Sequence, residues 1–521
     1  MVVFTFMTRR VISNCYTIEK MVKQKTKRQT KQATHSQTTD KNQRERGCED
    51  IHCVNDEDTN AIRQKLLQWY DKNKRDLPWR RYAVDEKDPN IKAYAVWVSE
   101  IMLQQTQVAT VIDYYTRWMT KWPTLQALSM ASLEEVNEMW SGLGYYSRGR
   151  RLHEGACKVV SELGCNIPDN ADDLLKQLPG VGRYTAGAIA SIAFNQATGL
   201  VDGNVVRVFA RLRAIGADST SQPVTDRLWS LANTLVDPER PGDFNQGLME
   251  LGATVCTPKT PLCAKCPLQS HCLAYQQVER EKHVLQSHLV KSNTVDVSSP
   301  EIPDIECIGE DCKLCIPPSD PWQYDLGVQN YPRKPKKKAP REERTGVCVL
   351  CDKQNPKMPR YLITQRPETG LLANLWEFPN FKLEENGRKE KLNSGSFLES
   401  TLSIDSSDTI DQQHIGEVVH IFSHIHQTYL VDSLCINERG VNNIANDCNG
   451  QATKWVTKEE LLSSAISTAM KKVFKAFESK KSGSPVKNKG SKRKSEKTLN
   501  TGGTKSKQLA MDMFFKPKSK T

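Results

Sequence analysis

Four closely spaced cysteines limit what this chain can fold into more than any other feature: Cys256, Cys263, Cys266 and Cys272 follow the pattern C-x6-C-x2-C-x5-C. One loop of that length can wrap four thiolates around a single cubane cluster. A tetrahedral four-cysteine zinc site is the alternative, because spacing alone does not separate the two metals. The apolar periodicity of Asn245–Val255 predicts a helix leading into the loop, which would then present Lys259 and Lys265 to phosphates. In an intracellular chain the 16 cysteines stay as thiols, so a cluster of them reads as metal ligation rather than as disulfides.

A length of 521 residues exceeds one ordinary domain, and the texture of the chain predicts two folded units with polar flanks. Residues 1–55 read as a basic disordered arm, rich in Lys, Arg, Gln and Thr. Its first twenty positions carry Arg9 and Arg10 with one late acid, Glu19, which leaves a mitochondrial presequence open. Residues 56–280 alternate helical apolar spacing with short turns and read as an all-α domain; Tyr94–Met119, Ala171–Lys176 and Thr185–Ala193 carry the clearest spacing. Residues 281–340 form a polar linker ending in the basic run Arg333–Lys338. Residues 341–480 read as α+β, with strands at Gly346–Leu350, Tyr361–Gln365, Ile415–Ser423 and Gln427–Leu434 and a helix over Lys458–Ser479. Residues 481–521 form a basic disordered tail. No apolar run approaches the roughly 20 residues needed to cross a bilayer, so no membrane partner is expected. The net charge of +12 suits a polyanion such as nucleic acid, and a soluble monomer is expected.

Leu178-Pro-Gly-Val-Gly-Arg183 is a glycine hairpin between two helical stretches, in which the backbone amides around Gly180 and Gly182 can cradle a DNA phosphate without reading a base. Some twenty residues on comes Val201-Asp-Gly-Asn204, and beyond it the cysteine loop. Together these resemble the helix–hairpin–helix DNA glycosylases that carry a 4Fe-4S cluster. Strand-cleaving members of that superfamily place a lysine nucleophile just after the hairpin; here the position is Tyr184, where no Schiff base can form. With Trp97-Val-Ser-Glu-Ile-Met-Leu-Gln-Gln-Thr106, Gly142-Leu-Gly-Tyr-Tyr-Ser-Arg148 and Asn245-Gln-Gly-Leu-Met-Glu250, the resemblance narrows to the MutY family of adenine DNA glycosylases and covers about residues 59–480.

Excising adenine requires protonating a poor leaving base and stabilising the cation left on the sugar, which calls for two carboxyls in opposite protonation states. Glu100 and Asp202 are the candidates, although a glutamate within a helix is usually only solvated and an Asp just before one usually only an N-cap. The resemblance implies Glu100 as general acid, kept protonated by Val98, Ile101 and Leu103, and Asp202 as the ionised group facing C1′, with Asn204 and Tyr184 orienting Asp202 and the water. It also implies wedges at Gln105 and Tyr145 that fill the gap left by the extruded base. Thr106 and Leu143 would touch the opposite base, taken to be 8-oxoguanine in double-stranded DNA, and Gln246 would read the adenine edge.

Tyr361-Leu-Ile-Thr-Gln-Arg366 followed by Leu375-Trp-Glu-Phe-Pro379 looks like the Nudix-type domain that ends MutY proteins. Around Phe397–Thr401 it lacks the glutamate-dense helix that would hold magnesium, so it should bind rather than cut. Phe422, Ser423 and His424 match the family's element for recognising 8-oxoguanine. Cys307, Cys312 and Cys315, as C-x4-C-x2-C, offer three soft ligands for zinc. Vertebrate members take a fourth cysteine from the catalytic domain, and Ala210 stands in its place here. In the tail Gln508, Met511, Phe514 and Phe515 have the form of a peptide for a sliding clamp such as proliferating cell nuclear antigen. The basic run at Lys492–Lys494 suits nuclear import, non-specific DNA contacts, or both. The resemblance further suggests a checkpoint clamp, an abasic-site nuclease and a single-strand DNA-binding protein as partners. A thymine or pyrimidine-lesion glycosylase of the same fold, and a catalytically silent DNA-binding scaffold, are the competing readings.

Overall fold

The computed structural model describes residues 50–291 and 312–481, apart from Pro321, 334–338, Lys353, 355–357, 384–393, Ser403, Ser423, 445–446 and 449–450. Its first part is helical: α1 (Asp56–Asn73), α2 (Pro78–Asp85), α3 (Pro89–Leu103), α4 (Val108–Lys121), α5 (Leu125–Ser129), α6 (Leu133–Trp140), α7 (Ser147–Glu162), α8 (Ala171–Gln177), α9 (Arg183–Ala193), α10 (Gly203–Leu212), α11 (Gln222–Leu235), α12 (Pro241–Thr254) and α13 (Leu273–Lys291). Local chemistry sets the starts. Pro78, Pro89 and Pro241 open their helices, where the missing N–H costs nothing. Ser132 and Glu135 close a reciprocal capping box on α6.

The periodicity of Tyr94–Met119 suggested one helix, but the chain breaks into α3 and α4 at residues 104–107, with Gln105 in the left-handed region at φ 54°. Apolar spacing runs on through the break and so conceals it. The two outer boundaries also move. The chain is already folded at residue 50: His52 is fully buried, and Asn55 caps α1 by accepting the Asp58 N–H. The expected arm therefore ends earlier than residue 55. At the other side α13 runs past residue 280 to Lys291, and Leu314, Val328 and Tyr331 of the expected linker pack against Val208, Phe209 and Leu248.

The second part is a mixed sheet of order β5–β6–β1–β2–β8–β7, built from β1 (Arg341–Asp352), β2 (Arg360–Gln365), β3 (Trp376–Glu377), β4 (Asn380–Lys382), β5 (Thr409–Ile421), β6 (Ile425–Ile436), β7 (Asp447–Cys448) and β8 (Gln451–Val456). β1 and β6 run parallel in register from Arg341↔Ile425 to Asp352↔Ile436, while β5 and β6 pair antiparallel with Ile421 opposite His426. With α14 (Ser394–Leu402), α15 (Glu438–Asn443), α16 (Lys458–Ser463) and α17 (Thr468–Lys481) this is the α+β domain expected. The predicted helix over Lys458–Ser479 is split, because Ile466 leaves the helical path to bridge Trp376.

One buried cluster holds Trp97, Trp118 and Trp140 and continues without interruption into Val347, Tyr361 and Phe474 of the sheet domain. A second, with Ile62, Leu66, Phe209, Phe244 and Leu248, forms the other lobe of the helical domain. Across the seam between domains, Glu134 accepts from Trp376 Nε1 at 3.2 Å and Lys454 Nζ at 3.0 Å, and Tyr146 Oη donates to Ile466 O at 3.5 Å.

Candidate active site

Between the two lobes of the helical domain lies a cavity of about 560 Å³ lined by residues of both, among them Glu100, Tyr184, Asp202 and Asn204. Glu100 sits on α3, which is buried along most of its length, so this glutamate is buried rather than solvated. Tyr184, in the first turn of α9, donates its phenol to Glu100 Oε2 at 2.5 Å and towards Met249 Sδ at 3.2 Å. Burial pushes Glu100 up to about 7. The Tyr184 hydrogen bond pulls it down, the charge of Asp202 adds to the rise, and Arg80 opposes it.

Asp202 is an N-cap, as its position before a helix implies, and it faces the same cavity. Its Oδ1 accepts the amides of Asn204 at 2.9 Å and Val205 at 2.7 Å, and its Oδ2 accepts Asn204 Nδ2 at 2.8 Å. Burial raises its pKa, while these donors and Arg207 pull the other way. Asn204 is itself fixed, because Arg207 donates to its Oδ1 at 2.8 Å and to Gly252 O at 2.6 Å. Gly252 lets α12 come this close: a Cβ there would stand 2.6 Å from Asn204 Cβ. Tyr184 was expected to help orient Asp202; its hydrogen bond goes to Glu100 instead.

Sequence reasoning missed the rear wall. Glu250 is fully buried and takes Arg75 on both oxygens, at 2.6 and 3.0 Å, with Arg80 at 2.8 Å. Burial alone would raise Glu250, but the two arginines outweigh it and hold the carboxyl below its ordinary value. Gln246 lines the cavity and accepts from Arg80 Nε at 3.2 Å. A buried Glu in Asn245–Glu250 calls for a cation, and Arg75-Asp-Leu-Pro-Trp-Arg80 supplies two; that pairing was the available signal.

Gln105 and Tyr145 are both exposed on neighbouring loops, Tyr145 with φ 49°. Thr106 is half-buried and Leu143 is buried. Gly180 turns the hairpin at φ 77°, where a Cβ would meet Arg151 Cβ at 2.8 Å, and Gly182 caps α9. Tyr145 also lines a cavity of about 320 Å³ with Phe422 and His424, so the β5–β6 turn faces the loop of the helical domain. Phe422 donates its amide to Ile425 O at 2.8 Å and stands edge-on to His420. Ser423 lies outside the described residues, as do Cys307 and the tail residues Gln508, Met511, Phe514 and Phe515.

Cys256, Cys263, Cys266 and Cys272 pack against the second core beside Arg211, whose Nη1 approaches Cys256 Sγ at 3.3 Å and whose carbonyl accepts Cys272 Sγ at 3.3 Å. Among the described residues, His52, Cys312 and Cys315 form a group whose ligand atoms all lie within 4.8 Å of one another. His52 Nε2 stands 3.3 Å from Cys315 Sγ and 3.5 Å from Cys312 Sγ, while its Nδ1 lies 2.8 Å from Arg213 O. Ala210 is buried on α10, and the third side chain grouped with Cys312 and Cys315 is a histidine before α1 rather than a residue of α10.

Residues 98–234 match the HhH-GPD superfamily of base excision DNA repair proteins, and residues 346–476 match the NUDIX domain. Adenine DNA glycosylase of Rattus norvegicus is 52% identical over 462 residues, covering 88% of this chain and 85% of the rat protein. The Homo sapiens enzyme is 54% identical, covering 83% of this chain and 76% of its own length, and the Schizosaccharomyces pombe enzyme is 41% identical, covering 73% and 82%. With a tyrosine where a Schiff-base lysine would stand and a buried and a half-buried carboxyl, Glu100 and Asp202, facing one cavity, this chain belongs to the adenine DNA glycosylases, monofunctional enzymes of base excision repair.

Proposed function

We propose that the adenine removed is the one mispaired with 8-oxoguanine, flipped into the 560 Å³ cavity while the opposite base is read by Tyr145 and the β5–β6 turn. The observation that carries this is the cavity shared by Tyr145, Phe422 and His424, which joins the base-extruding loop to the second domain. Glu100, protonated near neutral pH by its burial, gives its proton to the leaving adenine, and Tyr184 holds it in place. Asp202, with donors on both oxygens, stabilises the cation at C1′ until water attacks. Phosphates on the Gly180–Gly182 hairpin position the duplex. Single-turnover excision from duplexes with adenine opposite 8-oxoguanine, guanine or cytosine, and with thymine or guanine opposite 8-oxoguanine, tests the reading. The first duplex should be cut fastest; equal rates on all of them would sink it.

The four-cysteine loop offers the four thiolates that a 4Fe-4S cluster takes. When bound, such a cluster would fix the loop and its lysines against DNA. His52, Cys312 and Cys315 fit a zinc ion: Zn–N and Zn–S bonds of the usual lengths need N···S of ~3.6 Å, close to the 3.3 and 3.5 Å found. The Arg213 carbonyl at Nδ1 would leave Nε2 free as ligand, and Cys307 has the right chemistry to complete the set. Gln508, Met511, Phe514 and Phe515 would dock on a sliding clamp, and the basic tail suits a nuclear location.

A further inference from the structure

Arg148, on the first turn of α7, is buried, and among the described residues no carboxylate pairs with it. Its acceptors are backbone carbonyls of two separate loops and one hydroxyl. Nη1 donates to Ile101 O at 2.8 Å, Met102 O at 3.1 Å and Gln104 O at 2.5 Å, the last carbonyls of α3. Nη2 donates to Gly144 O at 3.0 Å, Leu143 O at 3.4 Å and Thr106 Oγ1 at 3.3 Å. The guanidinium also lies over the rings of Trp140 and Tyr145, 5.4 and 5.6 Å from their centroids.

A cation this deep costs several kcal/mol unless partnered, and the negative end of α3 with two carbonyls of the second loop supplies the partners. Burial lowers its pKa to about 10, which leaves it charged at neutral pH. The chain neighbours of these acceptors are strained: Gln105, between Gln104 and Thr106, has φ 54°, and Tyr145, next to Gly144, has φ 49°. Left-handed backbone costs a non-glycine residue roughly 1–2 kcal/mol, so neither loop would hold its shape for nothing. A planar fork reaches both loops at once, whereas an ammonium offers three donors from a single point.

We propose that Arg148 is a positioning residue that locks Gln105 and Tyr145 into one two-pronged wedge, setting the spacing with which both enter the gap left by the extruded adenine. This rests on the assignment of Gln105 and Tyr145 as wedges, and the test separates the two. The full chain is mixed with a duplex carrying 2-aminopurine in place of adenine opposite 8-oxoguanine, and the fluorescence rise on extrusion is timed. Arg148→Met slows the rise about tenfold or more, equivalent to ~1.4 kcal/mol, and Arg148→Lys does not restore it. In a Gln105→Ala/Tyr145→Ala background, itself slow, neither Arg148 change adds a further loss. If Arg148→Met does not fold, Arg148→Lys carries the same comparison. Wild-type extrusion in the Arg148 variants, or an equal additional loss in the wedge-less background, overturns the clamp. Normal extrusion by Gln105→Ala/Tyr145→Ala overturns the wedge assignment and the clamp with it.

Discussion

The phenol of Tyr184 lies 2.5 Å from Glu100 Oε2, a contact between residues 84 apart in sequence at the floor of one cavity. The bond pulls Glu100 down against a burial that pushes it up to about 7. A general acid must carry its proton, so single-turnover excision should fall as pH rises through about 7. Removing the donor with Tyr184→Phe raises Glu100 further and should move this alkaline limb upward by about one unit. A limb that stays in place, measured by adenine release from pH 5 to 9, would remove the bond from the mechanism.

Glu100 should also be a thermodynamic burden at high pH. A carboxyl whose pKa is raised on folding gives up stability as pH climbs from its unfolded value, 4.5, through about 7. The wild type should therefore lose on the order of 3 kcal/mol relative to Glu100→Gln between pH 4 and pH 9. Melting temperatures of the two proteins should diverge as pH rises, with the inactive variant the more stable; parallel curves would mean that the carboxyl is solvated.

Asp202→Asn keeps a good N-cap, because an amide oxygen can still accept the Asn204 and Val205 amides. The variant should fold and bind the 8-oxoguanine:adenine duplex, yet release adenine slower by at least a factor on the order of 10²–10³. Binding titrations alongside single-turnover release check this, and near-normal release would reassign the cation-stabilising role.

His52→Ala should lower bound zinc, read by elemental analysis of the purified protein, to the level of Cys315→Ser. Because His52 is fully buried, Ala also leaves a cavity, costing about 2 kcal/mol or more. His52→Cys should retain the metal while His52→Ala loses it. Equal zinc in all three variants would place the ion elsewhere.

Gly180→Ala forces a Cβ into left-handed backbone and to within 2.8 Å of Arg151 Cβ. Since a hairpin that holds phosphate reads no base, affinity for every duplex should fall by a similar factor. The preference for 8-oxoguanine over guanine opposite adenine should survive. A variant that lost preference but kept affinity would contradict the assignment.

Much of the site was legible because its parts sit in short motifs whose chemistry is local. Asp202 announces itself as a cap, and the cysteine loop by its spacing. His52 was not legible, since its partners lie 260 and 263 residues further on and nothing near it marks a ligand. The break that exposes Gln105 was hidden because apolar periodicity persists on both sides of it. The extent of the domains was blurred for a related reason. Polar composition around residues 50–55 and 312–333 reads as solvent-facing chain, yet a few residues there, His52, Leu314 and Tyr331 among them, are buried against the helical body.

The unbroken apolar seam around Tyr146 and Ile466 has a practical corollary for anyone dividing this chain. Separating the halves after the linker would leave each with a bare, water-averse flank, so neither fragment should be as soluble or as sturdy as the whole. The two domains share one apolar cluster, so a substitution deep in the sheet should disturb the helical domain across the seam without touching a nucleotide.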